Sequence, residues 1–342
     1  MSTITRRNLL KAGVVLGAAS LLPAPFITRA HAAEQVLTLY NGQHRQVTDA
    51  LIREFTTETG IEVVVRAGNS AQLASQLMEE GAASPCDIFY SEESPPIAAM
   101  AGKGLLVPLN ADTLAQIPAH YAAKDGSWTG ISARCRVVAY NKSLIKEDEL
   151  PKSVMDFAHE DWMDGVAYVP TSGAFQEQII AIRNLKGRAA TLEWLKGIKE
   201  YGRIYNTNNA AMLAVEQGII ATALLNNYYW FSMEREIGAQ NMKSALYYFG
   251  NGDPGALVTV SAAGILKSSK KQDDAQKFVH FMLSEKGQQA IVNAMAEYPL
   301  RAGVTSPYAL KPISELGAPE VTPSDIGDAA DAMALQREAG LA

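Results

Sequence analysis

A chain of 342 residues, 48% hydrophobic and 19% charged with a formal net charge of −6, can bury a sizeable core and has the length of about two domains of ~100–200 residues. Its acidic balance sets aside nucleic acids and anionic membrane surfaces as partners. Cys86 and Cys135 are the only cysteines, which excludes a disulfide-built scaffold and leaves pairing or separate burial open.

In chain order, Arg6, Arg7 and Lys11 precede an apolar run from Val14 to Leu22 and the small-residue site Ala30-His31-Ala32. This is the layout of an export signal, residues 1–32, cleaved after Ala32. The run is shorter than the ~20 apolar residues of a membrane span, so stable membrane insertion is not expected. Thr5-Arg6-Arg7-Asn8-Leu9-Leu10-Lys11 has the twin-arginine order, read by machinery that moves folded proteins. An ordinary secretory signal is the other reading, and both place the mature chain outside the cytoplasm, in the periplasm. Cleavage removes four basic and no acidic residues, which takes the net charge from −6 to −10.

The spacing predicts a strand at 36–40, a helix at 45–60 with Val47, Leu51, Ile52 and Phe55 on one face, and a strand at 61–66. A helix capped by Ser70 follows at 70–81, then a strand at 86–90. Further strands are expected at 134–140, 166–169, 221–225, 245–249 and 257–266, with helices at 174–185, 191–202 and 273–295. This alternation is that of an α/β fold with mainly parallel sheets flanked by helices. No Gly- and Ser-rich linker interrupts it, so two lobes joined by crossing strands are expected. Residues 33–134 with 259–309 would form lobe 1, and 135–258 with 310–342 lobe 2. The cleft between them lies at the carboxyl ends of strands, where such sheets bind ligands.

Catalytic motifs are absent or misleading. Gly250-Asn-Gly252-Asp-Pro-Gly255 matches a dinucleotide fingerprint, but strand formers follow where that motif requires a helix. There is no nucleophile elbow, phosphate-binding loop or H-E-x-x-H, and no two of His31, His44, His120, His159 and His280 lie at zinc-ligand spacing.

His44 follows the first strand and Glu92 the third, both at strand-to-helix turns. Tyr228 and Tyr229 sit where the strand at 221–225 gives way to a helix. Adjacent side chains there are ~100° apart and can converge, whereas in a strand they point to opposite faces. Packing as core aromatics is the alternative. Thr171-Ser172-Gly173-Ala174 opens a helix whose unpaired N–H groups and dipole suit an anion, or else Ser172 is a plain cap. Two tyrosines, a histidine and a carboxylate suit Fe³⁺, a hard ion that favours anionic oxygen. A trivalent cation expels the phenol protons, and two phenolates with one carboxylate offset its charge. Phosphate or carbonate would fill the remaining positions.

The chain resembles the periplasmic ferric-ion-binding proteins of Gram-negative bacteria over essentially its whole mature length. Tyr40-Asn-Gly-Gln-His44, Phe89-Tyr-Ser-Glu92, Ser172-Gly-Ala-Phe175, Leu225-Asn-Asn-Tyr-Tyr-Trp230, Asp253-Pro-Gly-Ala-Leu257 and Glu297-Tyr-Pro-Leu-Arg301 carry the likeness. It implies two α/β lobes joined by two strands crossing near Arg134 and Val258. It implies His44, Glu92, Tyr228 and Tyr229 as Fe³⁺ ligands, and Ser172, Gly173, Ala174, Asn208 and Asn226 around a synergistic anion, phosphate or carbonate. It also implies a monomeric carrier without catalytic turnover that serves the permease and ATPase of an ABC importer.

The departure is Glu93, where the family carries Gln. A second carboxylate repels a multiply charged anion or replaces a water on the metal. Arg45 and Arg301 are candidate compensating cations behind the site. A receptor for a polyamine or a phosphorylated metabolite stays open, because the fold alone does not fix the ligand. So does a secreted iron-dependent hydrolase with Glu93 as its base.

Overall fold

Residues 36–341 are described in the computed structural model; the expected export signal lies outside them. Strand β1 (Val36–Asn41) buries Leu37 and Leu39 against helix α1 (Arg45–Thr59), whose Val47, Leu51 and Phe55 recur at helical spacing and are fully buried. Gly60 ends α1 at φ 72°, a conformation that favours glycine, and returns its N–H to Thr56 O. Then come β2 (Glu62–Ala67), α2 (Ser70–Glu80), β3 (Ile88–Ser91), α3 (Ser94–Gly102), β4 (Leu106–Val107) and α4 (Ala111–Leu114). The cap of α2 is Asn69 rather than Ser70: its Oδ1 accepts the N–H groups of Ala71 and Gln72. Ser70 Oγ instead accepts the N–H of Glu92 at 2.9 Å.

The fully buried strand β5 (Thr129–Asn141) leads to β6 (Val166–Tyr168), α5 (Gly173–Lys186), α6 (Arg188–Tyr201), β7 (Arg203–Ile204), α7 (Asn208–Glu216), β8 (Thr222–Asn226), α8 (Asn227–Ile237) and β9 (Ser244–Tyr247). The chain returns through β10 (Val258–Leu266), α9 (Gln272–Leu283), α10 (Glu285–Ala294) and β11 (Tyr298–Pro299), and ends with α11 (Pro323–Ile326) and α12 (Ala330–Ala339). The single helix expected at 273–295 is two. Ser284 is extended between them, and its Oγ accepts the N–H of Gly287 to start α10. A Cβ on Gly287 would stand 2.1 Å from Phe281 O, so this elbow closes only around glycine.

The strands run in the order β2-β1-β3-β10-β5-β8-β6-β7. β1 is parallel to β2 and β3, and β6 is parallel to β7 and β8. The two central strands are antiparallel to their neighbours: β10 to β3 and β5, and β5 to β8 and β9. β5 serves both halves, pairing with β10 through Cys135 and with β8 from Arg136 onward. This is the two-lobe periplasmic-binding-protein architecture. One core gathers Phe55, Phe278 and Phe281; another gathers Trp194, Phe175 and Tyr168. Cys86 and Cys135 are separate buried free thiols, and burial pushes Cys135 up to about 12.

Candidate metal centre

His44 is the residue before α1, and its N–H donates to Gln43 Oε1 at 2.8 Å. Gln43 Nε2 reaches the buried Glu297 Oε1 at 3.3 Å, and the Ser132 hydroxyl on β5 donates to the other oxygen of that carboxylate. The loop that carries the imidazole is therefore tied to the central strands. Glu92 follows β3, held through its N–H by Ser70. Tyr228 and Tyr229 occupy the first turn of α8. Buried Asn227 nails that turn in place, accepting from Cys135 N–H at 3.1 Å and donating to Ala296 O at 2.8 Å.

Helical geometry brings the two adjacent phenol rings to one side, with centroids 4.5 Å apart and planes at 44°. Glu92 Oε1 is where the groups meet. It lies 3.2 Å from His44 Nε2 and accepts the Tyr228 hydroxyl at 2.9 Å. The His44 ring stands edge-on to Tyr228 at 5.1 Å and to Tyr229 at 6.4 Å. Burial works against the Glu92 anion, yet its hydrogen bond and charge interaction with His44 hold the carboxyl below the usual range. Burial likewise works against the imidazolium, but Glu92 holds His44 above its ordinary value. Burial and the Glu92 charge push Tyr228 well up, and the same causes push Tyr229 up to about 12. Both phenols therefore stay protonated near neutral pH. Among the described residues no three His, Cys, Asp or Glu side chains are placed to hold a metal; the groups that converge here are two phenols, an imidazole and a carboxylate.

Asn226 Nδ2 donates to Tyr228 Oη at 3.2 Å and Asn208 Nδ2 to Tyr229 Oη at 3.1 Å, so the two asparagines expected around an anion reach the phenols. Asn208 also donates to Ser172 Oγ at 3.2 Å, and Ser172 makes no side-chain cap on α5. Gly173 and Ala174 open that helix. Glu93 lies against Gly173, where a Cβ would stand 2.3 Å from its Oε1. Burial, with the charges of Glu92 and Glu177, pushes Glu93 up to about 8.

The compensating cations are not those expected. Arg45 has a 90% exposed side chain paired with Asp49, and Arg301 donates to Gln116 Oε1 and Leu283 O. Both point to local partners and neither contacts the four converging side chains. The buried cations are Arg134 and Arg136 on β5, which strand alternation alone does not single out. Arg134 is fully buried and none of its guanidinium nitrogens has a hydrogen-bond partner. Burial opposes its charge, but Glu297, Tyr228, Glu177 and Glu92 around it keep it ionised. Arg136 donates to Gln178 Oε1 and to Asn226 Oδ1 at 3.2 Å, which turns the Asn226 amide so that its NH₂ faces Tyr228. The sequence signal was there to read: two arginines in an otherwise apolar strand, Arg134-Cys-Arg-Val-Val-Ala-Tyr140.

The model of bacterial extracellular solute-binding proteins matches residues 50–315. The chain is 45% identical over 325 residues to the major ferric iron-binding protein of Neisseria meningitidis serogroup B, covering 94% of this chain and 97% of that one. It is 37% identical over 329 residues to the Fe(3+)-binding periplasmic protein of Serratia marcescens, covering 96% and 97%. The structure of iron-bound HitA from Pseudomonas aeruginosa matches with a TM-score of 0.87 at 51% identity, across 90% of this chain and 99% of that one.

Proposed function

This chain belongs to the bacterial extracellular solute-binding proteins and, among them, to the ferric-iron-binding proteins; from that membership we propose that it captures Fe³⁺ between its lobes and hands it to an ABC importer in the periplasm. His44, Glu92, Tyr228 and Tyr229 are the ligands. The observation that carries the reading is the convergence on Glu92 Oε1 of an imidazole beside β1 and a phenol from α8. In the metal-free protein protons hold this cluster together. A trivalent cation replaces them, because direct attraction to phenolate outweighs the cost of deprotonation. Asn226 and Asn208 then donate to the phenolate oxygens, which is the pairing a buried anion needs. The remaining positions on the ion fall to an anionic oxygen at the start of α5.

The relatives are solute-binding proteins and not enzymes, so the hydrolase reading is set aside, and their ferric cargo disfavours a polyamine or a phosphorylated metabolite. No helix among the described residues is long and apolar enough to cross a membrane; export through the twin-arginine route is the matching proposal for residues 1–32. The test is to add Fe³⁺ to the metal-free protein and follow the visible phenolate-to-iron band, with metal analysis of the product. A band that survives intact in Tyr229→Phe overturns the ligand assignment.

A further inference from the structure

The start of α5 is where an anion is expected, and a protein carboxylate already lies on it. Glu93 Oε1, Cδ and Cγ would stand 2.3, 2.5 and 2.8 Å from a Cβ at residue 173, so the end of the side chain lies against the Gly173 α-carbon, and a larger residue there would push it aside. The segment carrying Glu93 is clamped on both sides. Ser91 Oγ donates to Glu93 O at 2.6 Å, and the N–H and hydroxyl of Ser94 both reach Glu177 Oε1 on α5 at 3.3 Å. Ser172, the residue best able to cap α5, is engaged with Asn208 instead and leaves the helix start uncapped by its own side chain. A cavity of about 240 Å³ whose lining includes Glu93, Gly173, Thr171 and Gln176 flanks this contact.

Charge points the same way. Two phenolates and Glu92 already offset Fe³⁺, and Arg134, buried without a hydrogen-bond partner, lies among Glu297, Tyr228, Glu177 and Glu92. A phosphate seated beside Glu92 and an ionised Glu93 puts like charges together in a dry site, which is costly.

We infer that Glu93 is the built-in anion of this site: its carboxylate fills the seat at the start of α5, and the protein takes Fe³⁺ without a bound phosphate or carbonate. The inference rests on the ferric reading. Metal-free protein is depleted of anions and given ferric chloride in phosphate-free, bicarbonate-free Hepes buffer under argon, then compared with the same mixture plus phosphate or bicarbonate. The wild type is expected to develop the same band and bind the same iron in both, and to retain no phosphate after gel filtration. Glu93→Gln and Glu93→Ala are expected to need the added anion and to retain it. A wild type that needs phosphate or bicarbonate, or variants that load without either, overturns the inference and leaves the ferric reading standing. No band in the wild type under any condition overturns the ferric reading itself.

Discussion

Tyr228 and Tyr229 are neighbours in sequence but unequal in their surroundings. Tyr228 is fully buried, donates to Glu92 and takes Asn226, whose amide Arg136 orients; Tyr229 is less enclosed and takes Asn208. Because burial and Glu92 hold both phenols protonated, iron held as proposed displaces two protons from them, and its affinity is expected to rise with pH. Competition against a chelator of known protonation should give a slope of log affinity against pH of about two for the wild type and about one for Tyr229→Phe. Equal slopes would mean that Tyr229 gives up no proton to the metal. Asn208→Ala keeps all four ligands but removes the donor to Tyr229, and should weaken iron binding ~10–100-fold. An unchanged affinity would reduce Asn208 to a surface contact.

At the scale of elements, close approaches are bought by glycine. Gly197 lies where α6 crosses the turn containing Ala158, and a Cβ there would meet Ala158 O at 2.2 Å. Gly197→Ala should destabilise the fold by ~1–3 kcal/mol in urea unfolding while leaving iron affinity unchanged, since the strain falls on backbone remote from the ligands. A variant as stable as the wild type would mean the two elements separate freely. Helices such as α1 were legible because their apolar spacing and closing glycine are local, and the tyrosine pair was legible because it marks a strand-to-helix boundary. The break at Ser284 was not, since a capping serine inside a helical pattern looks like any other serine. Nor were the buried carboxylates. Glu177 is held by Ser94, 83 positions away, and Glu297 by Ser132, 165 positions away, so their burial exists only once the lobes are assembled. Arg134 and Arg136 differ, since two arginines in an otherwise apolar strand mark themselves in the sequence.

At the scale of the molecule, β5 binds both lobes while side chains bridge the cleft between them: Tyr228 to Glu92, and Ser94 to Glu177. The second bridge carries a cost that depends on pH. Burial raises the Glu177 carboxyl above its ordinary value, against the opposing influence of Arg134, Thr259 and Ser94. An unfolded chain ionises this group first, near the ordinary value of about 4.3, so it binds fewer protons than the native state above that pH. Stability is therefore lost as pH rises from there to the native value. Glu177→Gln keeps an oxygen to accept from Ser94 and removes the titration. Melting of the metal-free proteins should show no gain for Glu177→Gln at the acid end and a growing gain as pH climbs through that window. A difference that is flat, or largest in acid, would mean that Glu177 is ionised in the closed molecule, with Arg134 beside it as counter-charge.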